Sequence, residues 1–211
     1  MSIKLYYFDA YGRAECIRML LAHSKQQFED VPVTREQIAK MAEEGKLEFD
    51  KVPAIEVGGK FFCETKAMMR FMGKKHGYYP EDDCDAWRVD SIIDALDDAN
   101  ECLIKVYFAP NEEEKKEAAR VATTEVIPRF LSKINKILLE NGNSDFLVGN
   151  KTTIADFFLG AWVYSLVRNP NNPKVDLLGG LLDAHPQVLK WADSFAKENE
   201  SRLSSRPVKP Y

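Results

Sequence analysis

Two short apolar runs meet at a Gly-Gly pair, and that junction constrains the fold more than any other stretch. Val52-Pro53-Ala54-Ile55-Glu56-Val57 precedes Gly58-Gly59, and Lys60-Phe61-Phe62-Cys63 follows it. Two glycines accept the positive φ of a tight turn, so the runs read as an antiparallel hairpin. A lone hairpin is not stable in water and needs further strands or helices. The upstream sequence supplies them. Ile3 to Phe8 is a compact apolar and aromatic run, suited to a strand covered on both faces. Phe28 to Val33 is a second strand candidate. Between them, Arg13 to Ser24 reads as a helix with Ala14, Ile17, Leu20, Leu21 and Ser24 on one face. Arg35 to Glu44 is a charged helix that ends near Gly45. Lys66 to His76 is a further helix, with Thr65 as its cap and Gly77 as its stop. The order βαβαββα predicts a mixed sheet with helices packed on it.

Past His76 the pattern changes. Residues 77–84 read as a linker, and no convincing strand follows. Asp85 to Phe108 and Glu112 to Glu140 are long helical patterns, the second with a kink expected at Pro128. Thr153 to Arg168, Val175 to Leu182 and Pro186 to Glu200 complete a helical half. The expected organisation is an α/β domain over residues 1–76, a linker over 77–84 and an all-α domain over 85–211. Within the second, Thr153 and Asp156 form a capping-box pattern, a folding signal worth about 1 kcal/mol.

Composition narrows the function classes. A formal net charge of −4 gives no general affinity for nucleic acid or anionic membranes. No apolar run approaches the roughly 20 residues that span a bilayer, and the start of the sequence has no signal-peptide core. Cys16, Cys63, Cys84 and Cys102 show no CxxC spacing, as expected of reduced thiols in the cytoplasm. His23, His76 and His185 are far apart and form no zinc-binding pattern, so no zinc site is expected.

Several short motifs run in order along nearly the whole chain. Leu5-Tyr6-Tyr7-Phe8 is followed by Gly12-Arg13-Ala14-Glu15, then Asp50-Lys51-Val52-Pro53 and Glu64-Thr65. Asp90 to Asp98 and Gly149 to Asp156 follow. Together they resemble the cytosolic glutathione transferases of the sigma class, on the branch of glutathione-dependent prostaglandin-D synthases. The resemblance implies a thioredoxin-like first domain, glutathione as co-substrate, small hydrophobic electrophiles as partners, a detoxification role and a cytoplasmic homodimer. Two other readings remain beside conjugation. One is a glutathione-dependent prostaglandin isomerase or peroxidase. The other is a non-catalytic ligand-binding or structural protein with the same fold.

The resemblance assigns roles that chemistry can support. The glutathione thiol has a pKa of about 9, near that of free cysteine. A tyrosine hydroxyl donating to the sulfur anion favours the thiolate at neutral pH. Tyr7 takes this role by resemblance; the strand pattern alone favours a core tyrosine. Side chains alternate along a strand, so only one of Tyr6 and Tyr7 can face the site. Arg13 is implied to add positive potential near the sulfur. Val52-Pro53 is implied to be a cis bond that presents the Val52 backbone to the cysteinyl residue, with Asp50 and Lys51 beside it. Glu64 and Thr65 would hold the γ-glutamyl end at a helix N-terminus, with Phe8 also near the peptide.

Asp94, Asp97 and Asp98 share one helix face. Asp98 is implied to reach the glutathione of a neighbouring subunit, and such a cluster could also take a divalent cation. Phe8, Leu103, Tyr107 and Phe108 are the candidate walls for the hydrophobic substrate. Two departures stand out. No tryptophan precedes Trp87 to hold the glycyl carboxylate, which leaves Lys40, Lys46 or Lys51, and Lys66 replaces an apolar residue. Phe49 reads as an intersubunit plug or a local packing residue.

Overall fold

Four strands form one sheet in a computed structural model of the chain, which describes residues 2–142 and 144–211. The strands are β1 (Ile3–Tyr7), β2 (Glu29–Pro32), β3 (Ala54–Val57) and β4 (Lys60–Cys63), in the order β2-β1-β3-β4. β1 runs parallel to β2 through the crossover helix α1 (Glu15–His23), and β3 is antiparallel to both β1 and β4. Helix α2 (Arg35–Glu43) follows β2, and α3 (Thr65–His76) follows β4. The expected βαβαββα order is therefore present, and it is the thioredoxin-like arrangement.

Alternation along β1 sorts its residues between two cores. Ile3 and Leu5 are buried in the large core, which continues through α1 and α3 into the helical domain. Tyr7 packs against that same core. Tyr6 falls on the other face, in a smaller core with Val33, Met41, Leu47 and Ala54. Only Tyr7 of the pair therefore faces the helical domain.

That domain contains α4 (Asp83–Phe108), α5 (Glu112–Val121), α6 (Ile127–Glu140), α7 (Ile154–Trp162), α8 (Val175–Leu178), α9 (Pro186–Glu198) and α10 (Glu200–Ser205). α7 is buried along most of its length and packs against α1, which joins the two halves.

Several boundaries differ from the sequence expectation. β1 ends at Tyr7, which frees Phe8 from the strand. Thr65 is the first residue of α3 and not its cap; the cap position is Glu64, with no side-chain cap bond. α4 begins at Asp83, because the Asp82 carboxylate accepts from the N–H groups of Cys84 and Asp85. The long pattern from Glu112 to Glu140 is divided by a π-helical turn at Ala122–Val126. Pro128 stands at the start of α6 directly after that π-helical turn, within a run whose backbone stays helical from α5 into α6.

Candidate active site

Tyr7 ends β1, and the chain turns immediately into the segment that leads to α1. Its hydroxyl oxygen accepts from the backbone N–H of Arg13 at 3.1 Å. The approach depends on Gly12, which has a φ of +42°. A Cβ there would lie 2.5 Å from the Tyr7 hydroxyl oxygen. The Arg13 side chain is exposed at the start of the helical segment. Phe8 is partly exposed and meets the Tyr7 ring edge-on, with centroids 5.6 Å apart.

Tyr6 has a different environment. Its hydroxyl donates to the Glu56 carboxylate at 2.7 Å. Burial, followed by that acceptor, pushes its pKa up to about 12. Tyr6 is thus committed to a local partner on the α2 face. Burial likewise pushes the Cys16 thiol up, which suits an inert core thiol.

Val52-Pro53 is a cis bond directly before β3. Asp50 and Glu64 lie at the two ends of the hairpin segment and both have positive φ, 55° and 67°. Non-glycine residues rarely adopt this conformation, and such strain gathers at ligand sites. Lys51 Nζ lies 3.3 Å from Glu64 Oε1, so an ion pair joins the two ends. Thr65 opens α3 without a capping side chain, which leaves first-turn N–H groups available to an anion.

The acidic face of α4 has an internal counterion. Lys66 Nζ lies 2.6 Å from Asp94 and 2.8 Å from Asp97. Burial pulls the Lys66 pKa down, but the two carboxylates carry it up overall. Asp98 is exposed on the same helix. Among the described residues no group of three or more His, Cys, Asp or Glu side chains is arranged to hold a metal.

The other expected residues scatter. Leu103 is only 2% exposed and belongs to the core, so it forms no open wall. Tyr107 is half-buried, donates to Asn172 Oδ1 at 3.0 Å, and lies beside the Tyr211 ring at 6.1 Å. Phe108 is 79% exposed at the end of α4. Lys46 pairs with Glu44 at 2.7 Å and Lys40 with the same carboxylate at 4.0 Å, so only Lys51 touches the Glu64 region. Phe49 is exposed.

Sequence reasoning missed the residues that hold this segment from behind. Arg18 is 2% exposed, and its guanidinium donates to Asp30, to the Ala10 and Tyr11 carbonyls and to Glu15. It also lies 5.9 Å from the centre of the Tyr7 ring. A charged residue among Ile17, Met19 and Leu20, three positions after a glutamate, was the available signal.

Comparison with known proteins accords with this arrangement. Residues 3–74 match the family model described as Glutathione S-transferase, N-terminal domain, and residues 97–200 match Glutathione S-transferase, C-terminal domain. Glutathione S-transferase alpha-4 of Rattus norvegicus is 36% identical over 158 residues, which is 74% of this chain and 70% of that protein. Two solved structures share the fold at 24% identity. Prostaglandin synthase D of Nilaparvata lugens has a TM-score of 0.84, with 99% of this chain and 100% of that chain covered. Monomeric Na-GST-3 of Necator americanus has a TM-score of 0.85, with both chains fully covered at 100%. The chain belongs to the glutathione S-transferase family. It is accordingly a transferase that uses glutathione as co-substrate.

Proposed function

We propose that the protein joins glutathione to small hydrophobic electrophiles and that the Tyr7 hydroxyl holds the glutathione sulfur as a thiolate. One observation carries this reading. The Tyr7 oxygen already accepts from the Arg13 N–H, so its own hydrogen is left to donate elsewhere. A thiolate within reach of that hydrogen receives a charge-assisted hydrogen bond. The Arg13 side chain adds positive potential at the same end of the sheet.

The tripeptide lies along the hairpin edge in this reading. Val52, next to the cis Pro53, pairs its backbone with the cysteinyl residue in strand fashion. Asp50 and Lys51 flank that contact, and Phe8 borders the sulfur. Thr65 and the open first turn of α3 take the γ-glutamyl carboxylate, while Glu64 faces its ammonium group. Lys40, Lys46 and Lys51 are the candidates for the glycyl carboxylate, and the Lys51 ammonium stands beside Glu64. The thiolate then attacks the electrophilic carbon, a C–S bond forms, and the leaving group departs with its electron pair. Phe8, Tyr107 and Phe108 supply apolar surface for the electrophile.

The finer assignments follow the sequence resemblance: sigma class, cytoplasmic location, a detoxification role, and domains over 1–76 and 85–211 with a linker over 77–84. A homodimer is part of this reading. Exposed Phe49, Phe71 and Trp87 supply apolar surface for it, and Asp98 would reach across to the partner's glutathione. A prostaglandin isomerase role is the second reading, favoured by the fold shared with a prostaglandin synthase.

Turnover of glutathione with a chloronitrobenzene electrophile, for wild type beside Tyr7→Phe, tests the proposal. Loss of one aimed donor should lower kcat by about 10²-fold. Normal turnover in Tyr7→Phe would end the mechanism. Absence of turnover in wild type across several electrophiles would favour a binding protein.

A further inference from the structure

The segment after α10 returns to the start of the chain and encloses Tyr11. Tyr11 is 3% exposed, and its polar atoms are all engaged. Its N–H donates to the Tyr211 carbonyl at 2.7 Å, and its own carbonyl accepts from Arg18 at 3.1 Å. Its hydroxyl donates to the Pro207 carbonyl at 2.7 Å and accepts from the Lys209 N–H at 3.3 Å. The Arg206 guanidinium covers its ring at 4.2 Å. Two residues earlier, Asp9 pairs with Lys209, which holds the Asp9 carboxyl below its ordinary range.

The far side of this clamp is tied to the helical domain. Asn169 donates to the carbonyls of Lys209 and Pro210 at 3.0 and 3.2 Å. Arg206 donates to the Tyr164 carbonyl at 2.6 Å. Arg202 and Arg206 also reach Glu15, a fully buried carboxylate that Arg18 meets as well.

We propose that Tyr11, held by residues 206–211, is a positioning residue for Tyr7. Tyr11 lies two residues before Arg13, whose N–H is the donor to the Tyr7 oxygen. Between them Gly12 has no side chain to fix its own course. The position of that donor is therefore set by Arg18 on one side of the segment and by residues 206–211 on the other. A donor at the phenol oxygen polarises the O–H bond and fixes its direction, which strengthens its bond to the sulfur anion. If the clamp loosens, the donor moves while the tripeptide contacts along β3 and α3 are untouched. The expected signature is a change in thiol ionisation without a matching change in glutathione binding. This inference rests on the reading of Tyr7 as the residue that activates the thiol.

Tyr11→Phe keeps the ring and removes the hydroxyl contacts, and Asn169→Leu releases the segment from its anchor. Both are measured beside wild type and Tyr7→Phe in the same full-length chain, with melting curves to establish folding. The readouts are the thiolate absorbance of bound glutathione against pH, and kcat and KM with a chloronitrobenzene. Both variants should raise the apparent pKa of the bound thiol and lower kcat by about tenfold, with KM for glutathione within about twofold, as expected for a misplacement of less than 1 Å. Folded variants with the wild-type thiol titration would overturn the proposal, as would a loss confined to KM. Full activity in Tyr7→Phe would instead remove the reading beneath it. If Asn169→Leu does not fold, Tyr11→Phe decides the question alone.

Discussion

At Gly12 a single hydrogen atom faces the Tyr7 hydroxyl, and the site depends on that gap. Gly12→Ala would place a methyl group 2.5 Å from the hydroxyl oxygen in a backbone conformation that alanine disfavours. We expect a strong loss of kcat with glutathione binding largely retained, read by steady-state kinetics beside a glutathione affinity measurement. Unchanged kcat would mean that the segment relaxes at no cost to Tyr7. The same few residues show what the sequence made legible. Strand alternation separates Tyr6 from Tyr7, and the two cores on either side of β1 give the reason. Choosing Tyr7 still requires the family motif, because neither residue carries its neighbours in its own pattern. Tyr11 and Arg18 are not legible as site residues. Their partners lie far away in sequence, as with Tyr11 and Pro207, and no local spacing reports such a contact.

Helix α7 shows the same limit for an element. The Thr153–Asp156 pattern correctly marks its start. The Asp156 Oδ2 atom accepts from the Thr153 N–H at 2.8 Å, as a capping box requires. Its other oxygen accepts from the Leu147 N–H at 3.0 Å and the Trp191 indole at 2.9 Å. One carboxylate thus joins α7, the segment before it and α9. Burial pushes the Asp156 carboxyl up, while the N–H groups around it pull the other way. Asp156→Asn should destabilise the fold by roughly 2–3 kcal/mol, more than a simple cap, because one amide NH₂ must then face a buried donor. Denaturant unfolding would measure this, and a loss below about 1 kcal/mol would reduce Asp156 to an ordinary cap. The break between α5 and α6 is not legible, because the helical pattern runs on through Ala122–Val126 and only the π-turn interrupts it. Pro128 has no N–H to give to the carbonyl one turn back, and the π-turn lies directly before it, where the regular ladder is interrupted.

For the whole molecule, stability should fall on the acid side. Burial lowers the pKa of His23, His76 and His185 below the ordinary 6.5. Folding therefore favours their neutral forms. Their contribution is complete above about 6.5 and is lost as pH falls through the lower folded values. His23 lies where the two domains meet, with Nδ1 2.7 Å from the Tyr78 hydroxyl and Nε2 4.0 Å from Glu198, which opposes the lowering. Thermal melts of wild type and His23→Gln from pH 7 to 5 should show a shallower decline in the variant, and parallel curves would contradict this.

Assembly belongs to the same scale. Sedimentation should give a dimer, and Trp87→Glu should shift it toward monomer; a monomeric wild type would place the chain beside its monomeric neighbour. The central claim concerns the sulfur, and one measurement addresses it directly. Thiolate absorbance of glutathione bound to the wild-type protein, titrated against pH, should give a thiol pKa well below the free value of about 9, returning toward that value in Tyr7→Phe. An unshifted thiol in wild type, or an equal shift in both proteins, would contradict the account.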